Sequence, residues 1–263
     1  METVKRHKLL STNNAKTIKG SKLGYMTYIL YMSPFKLNSK GKNVCSHASK
    51  GCAEACLVGS GFGGMFKSVM KGRIERTEYF LSNRVEFLHQ VKSEISKALK
   101  KHKGKAIVTI RLNGTSDIPY ENLRVFEGGK NIFEVFPKVK FYDYTKNYLR
   151  FDKELPKNYH LTFSRSETNH DKAIEILKRG FNVAMVFDKI PEKFEGFKVI
   201  NGDESDLRFL DKKNVIVGLK YKKMTGKNSN NQLAFNSGFA ISTSKVVTLP
   251  KFKKEKQTSK KAA

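Results

Sequence analysis

Short apolar runs recur along the chain, separated by longer stretches in which apolar residues fall three and four positions apart. The first run, 25–32, reads Tyr-Met-Thr-Tyr-Ile-Leu-Tyr-Met between Gly24 and Ser33-Pro34, which predicts a buried strand. Runs over 106–110, 139–144, 159–164, 183–187 and 215–219 predict further strands. Between 68 and 102, Ile74, Tyr79, Leu81, Val85, Leu88, Val91, Ile95 and Leu99 fall at helical spacings with Lys and Glu between them. That pattern predicts one or two amphipathic helices. Ala173–Arg179 predicts another, stopped by Gly180. Strands this short and apolar need cover on both faces. Their alternation with helices predicts an α/β fold with parallel strands, either a covered sheet or a complete or partial (β/α) barrel.

The flanks break this pattern. Residues 1–24 are polar and basic and read as an N-terminal arm, residues 25–250 as a single α/β barrel-like domain, and residues 251–263 as a disordered Lys-rich tail. No stretch approaches the roughly 20 apolar residues of a membrane helix, and no apolar segment follows the first charges as in a secretory signal. The expectation is a cytoplasmic protein with no membrane partner; the sequence carries no sign of its oligomeric state. Charge narrows the partners. Lys and Arg number 51 against 24 acids, a net +27, which fits a nucleic-acid partner or a merely solvated basic surface.

Chemistry gathers after the strands. Polar clusters follow them at 113–117, 143–146, 164–167 and 188–189, and the carboxyl ends of parallel strands form the active-site edge of α/β folds. All three cysteines lie within twelve residues in the loop after the first strand, as Cys45-x6-Cys52-x3-Cys56. An odd number of thiols grouped so closely in an intracellular chain points to metal rather than to disulfides. Zinc needs a fourth ligand, for which His47, His89 and His102 are available. A [4Fe–4S] cluster held by three cysteines leaves one iron open.

Placement of the loop between the first strand and a helix resembles the radical-SAM enzymes, although their cysteine spacing is tighter. That resemblance implies a [4Fe–4S] cluster and S-adenosylmethionine, and makes Arg111, Asn113, Ser116, Asp117 and Ser164 the candidate cofactor-binding residues. Asp117 would take the ammonium and Arg111 the carboxylate.

A second resemblance spans more of the chain. The pieces are Cys45-Ser-His-Ala-Ser-Lys-Gly-Cys-Ala-Glu-Ala-Cys-Leu57, Arg111–Ile118, Phe141–Lys146, Tyr159–Ser164, Gly202–Phe209 and Asn236–Phe239. Together they resemble the bacteriophage gene product 88 family over roughly residues 25–240, and imply a phage origin without supplying a reaction. Ser46 stands where that family would have proline, and Asn236 where aspartate is usual.

Other residues complete the candidates. Tyr142, Tyr144 and Lys146, with Arg165, interleave aromatic rings with cations and suit a nucleic-acid substrate. Asp203 and Asp206, with Asp117, are the candidate catalytic carboxylates, able to hold Mg²⁺ or share acid–base work. The leading reading is a radical-SAM-like iron–sulfur enzyme that acts on nucleic acid. The alternatives are a zinc-containing, base-exchanging transglycosylase-like enzyme that modifies DNA, and a non-catalytic zinc-stabilised protein that binds nucleic acid or a host factor.

Overall fold

A computed structural model describes residues 8–12, 15–56, 66–223 and 231–243. Five strands lie side by side in chain order, all parallel: β2 (Tyr25–Leu30), β3 (Ile107–Arg111), β4 (Lys140–Thr145), β5 (Tyr159–Ser164) and β6 (Val183–Phe187). The sheet continues in parallel through β9 (Ile216–Lys220) and β8 (Phe197–Asn201). Antiparallel partners finish the edges, β1 (Leu10–Ser11) on β2 and β7 (Lys193–Phe194) on β8. The sheet is not closed; its path runs from β1 to β7 without rejoining. β5 accompanies β6 only over Val183 and Ala184, and β10 (Ala240–Ile241) lies along Val186 and Phe187.

One face of the sheet carries the core. Tyr28, Leu30, Val108, Ile110, Phe141, Leu161, Phe163, Val183 and Met185 point to it and pack under helices α3 (Lys67–Ser82), α4 (Arg84–His102) and α6 (His170–Lys178). α4 supplies Phe87, Leu88, Val91, Ile95 and Ala98, an apolar stripe at the spacing read from sequence. The predicted helical stretch therefore divides in two, at Asn83.

Alternate residues face the other way. Thr27, Thr109 and Tyr142 meet there, with the two threonine hydroxyls 2.9 Å apart and the Tyr142 hydroxyl 3.2 Å from Thr27. Tyr144, His160 and Thr162 share this face through the β4–β5 register. The segment 203–211, between β8 and β9, lies against it. Phe209 packs edge-on to Tyr25 and to Tyr142, both at 5.4 Å, and Asp206 reaches Arg111 at 2.7 Å. A sheet with one apolar and one polar buried face is the result.

The polar N-terminal stretch contributes more than an arm. Leu9 and Leu10 are buried, and their N–H groups donate to the Glu94 carboxylate. Helix α1 (Ala15–Ser21) follows, and its Lys19 donates to the Asp203 carbonyl at 2.9 Å. Two leucines in a lysine-rich run are too few for a periodic signal. The Lys-rich tail at 251–263 lies outside the described residues.

Candidate functional site at the carboxyl-end rim

The chain leaves β2 and returns across the carboxyl ends of β3 to β5, so the cysteine segment rests on the rim of the sheet. Two strand-end loops hold it. Asp117 donates its N–H to the Val44 carbonyl at 2.9 Å, and the Cys45 thiol lies 3.5 Å from the Thr115 carbonyl. Glu167, beyond β5, accepts from the Ser49 hydroxyl and from the Gly51 N–H, each at 2.7 Å. Those two residues start helix α2 (Lys50–Glu54), which carries Cys52 and is capped by Ser49. A side chain at Gly51 would force its neighbours to move. A Cβ on it would stand 2.6 Å from the Ser237 hydroxyl and 2.9 Å from the Glu167 carboxyl carbon.

All three cysteines are half-buried, and no two of them form a disulfide. Among the described residues no three His, Cys, Asp or Glu side chains stand together as a metal-binding group. The thiols nonetheless feel one another. Burial pushes the Cys45 thiol up to about 12, and the charges of Cys56, Asp117 and Cys52 add to the rise. Two of the histidines considered as a fourth ligand are engaged elsewhere, His89 edge-on to Phe126 and His102 with the Tyr28 hydroxyl.

The cofactor candidates cluster at the same rim but are already employed. Asn113 accepts from the Ser116 hydroxyl and the Ile118 N–H, and donates to the Ile118 carbonyl, so it shapes the 113–118 turn. Gly114 lets that turn cross β2; a Cβ would meet the Leu30 carbonyl at 2.8 Å. Asp117 accepts from the Lys146 N–H and pairs with Arg150 at 3.2 Å, while Arg150 also pairs with Glu121 at 2.7 Å. Arg111 lies deeper, between Asp206 and the rings of Tyr142 and Tyr144, whose centroids are 5.6 and 5.2 Å from its guanidinium.

The expected acidic pair separates. Asp203 stays at the rim and accepts from the Lys220 N–H, whereas Asp206 turns inward to Arg111. The stacking role expected of Tyr142 meets a fully buried ring, and Tyr144 is mostly enclosed beside it. Lys146 and Ser164, by contrast, do meet, with the ammonium 2.9 Å from the hydroxyl and 5.9 Å from the centre of the Phe239 ring. Arg165 donates to the Gly238 and Phe239 carbonyls. Glu167 and Arg150 were not anticipated. A carboxylate three residues past a strand end was the available signal for Glu167, and nothing local marks Arg150.

The gene product 88 model matches residues 7–241. The chain belongs to the gene product 88 family. The match begins beside β1 and ends on β10, so the family unit includes both the cysteine segment and the strand that completes the rim. Neither the curated proteins nor the solved structures offer a match to this gene product 88 member.

Proposed function

We propose that the protein is an enzyme with its site at the carboxyl-end rim, where Cys45, Cys52 and Cys56 bind an iron–sulfur cluster in preference to zinc. In this reading the sheet is the wall of a partial barrel and its polar face the concave one. The observation that carries the proposal is the anchoring of the cysteine segment by the loops after β3 and β5, through Thr115, Asp117 and Glu167. A loop that merely connected two elements would need no such attachment. Since no ready-made ligand group exists among the described residues, the thiols must turn toward one another on loading. The donor set suits the change: three soft thiols, one of them buried enough to ionise only beside a cation. When bound, an open cluster supplies one-electron reduction of S-adenosylmethionine. The net charge of +27 favours a polyanionic substrate such as nucleic acid.

Metal analysis and visible absorbance of anaerobically purified protein test this directly. The expected preparation is brown and bleaches on reduction, and Ala at any of the three cysteines abolishes the colour. A colourless protein with one zinc per chain selects the zinc alternative. A metal-free protein that takes up neither metal ends the proposal.

A further inference from the structure

We propose that Lys146 and Arg165 form an anion subsite at the rim, which receives a carboxylate or phosphate group of the substrate; it rests on the reading of the rim as the active site. Acids and cations at the rim differ in their partners. Among the described residues the acids named at this rim have partners: Asp117 in Arg150 and the Lys146 N–H, Glu167 in Ser49 and Gly51, and Asp203 in the Lys220 N–H. Asp188 is held below the usual carboxylate range, against the effect of burial, by hydrogen bonds from Thr243, Ser242 and Lys189. The cations are not so matched. Among the described residues the Lys146 ammonium meets only the Ser164 hydroxyl and the Phe239 ring, both neutral. Arg165 binds two carbonyls through one nitrogen, and its Nε is buried without a hydrogen-bond partner among the described residues.

An independent observation lies one layer below. Thr162 is two residues before Ser164 on the same face, is fully buried, and has a hydroxyl with no partner among the described residues. Half-buried cations whose hydrogen bonds among the described residues go to neutral groups, although the Glu167 charge also acts on Arg165, stand above an unsatisfied hydroxyl and leave donors for an incoming oxyanion. Carboxylate and phosphate share this chemistry and differ in size and charge.

Calorimetry on the full chain at low ionic strength, with inorganic phosphate and with acetate as probes, tests the assignment. One of the two should bind, and its affinity should fall about tenfold in Lys146→Met and recover in Lys146→Arg. Arg165→Gln should weaken it severalfold. Stronger binding of acetate assigns a carboxylate, and of phosphate a phosphate. Absence of binding to the parent overturns the proposal, as does an equal loss in Lys100→Met, an exposed lysine on α4. Metal content is measured on the same samples. A metal-free parent that still binds the anion at Lys146 refutes the cysteine reading alone.

Discussion

On the helix side of β4, Phe141 packs at 4.8 Å against Phe133; one residue later Tyr142 turns the other way, beneath Arg111 and beside Phe209. The same alternation holds along β5, where Leu161 and Phe163 enter the core while His160 and Thr162 face the segment 203–211. Both faces are buried, yet they cohere differently. The first depends on apolar area and close packing, which tolerate no lost volume. The second depends on matched polar groups, in which each buried charge needs its partner. A surface built this way keeps hydroxyls, cations and carboxylates next to the rim, where an apolar lining would offer a substrate nothing to bind.

Substitutions separate the two faces. Phe163→Ala, fully buried in the core and edge-on to Phe151, should cost about 3–5 kcal/mol in a denaturant titration, and no second change nearby should recover it. Asp206→Ala should cost about 3 kcal/mol by leaving the buried Arg111 with only the more distant Asp143, at 3.9 Å, as a charged partner, but adding Arg111→Met should return most of the loss. If the double variant is no better than the single, the polar face is not organised by that pair.

Acidity offers a finer probe. Burial pushes the Asp143 carboxyl, on the core side of β4, from 3.8 up to about 7. Its contribution to stability is present below about pH 4 and lost as pH rises through about 7. Burial, with the charge of Arg208, holds His160 on the opposite face down at about 4, against an ordinary 6.5. Its contribution is present above pH 6.5 and lost as pH falls through about 4. Between about pH 4 and 6.5 the two oppose each other. Relative to the parent, Asp143→Asn should tilt the stability profile upward with pH and His160→Gln downward. Each tilt approaches about 1.4 kcal/mol per pH unit. Parallel profiles in the two variants would contradict burial as the common cause of both shifts.

The smallest effect concerns the unsatisfied hydroxyl. Thr162→Val removes a buried polar group that has no partner among the described residues and should raise stability by about 1 kcal/mol in thermal unfolding. It should also weaken anion binding at Lys146. Stability and binding moving in opposite directions would mark Thr162 as retained for the site rather than for the fold.

The sequence discloses the two faces unequally. Short β-branched runs and the stripe from Phe87 to Ala98 declare the core, and the strands from β2 to β6 fall within a residue or two of where they were read, because apolar periodicity follows directly from burial. The polar face leaves no such trace. Asp206 and Arg208 look like a solvated charge cluster, although both are buried, and Tyr142 looks like a surface aromatic. Their burial depends on a segment returning across the sheet from over ninety residues away, as the Arg111–Asp206 pair shows. Glu167 was visible only as one member of a polar turn, since its partners Ser49 and Gly51 come from the far side of the sequence. The three cysteines were legible as a group, whereas the loops that anchor them were not.

The short strand β10 has a consequence in time as well as in space. It fills the place beside β6 that β5 vacates, and with α7 (Leu233–Asn236) it forms a small cluster in which Ala234 and Ala240 meet Ala55, next to the cysteines. That cluster stands apart from the main core; its buried members are three alanines, with Val186, Tyr221, Phe235 and Phe239 only partly buried around them, so it is a smaller and more open unit than the main core. Among the described strands β10 is also the last to be synthesised. A nascent chain can therefore complete its core while the rim is still missing Gly238 and Phe239, the partners of Arg165 and Lys146. The partners of Arg165 and Lys146 in the proposed anion subsite are thus the last part of the rim to be made.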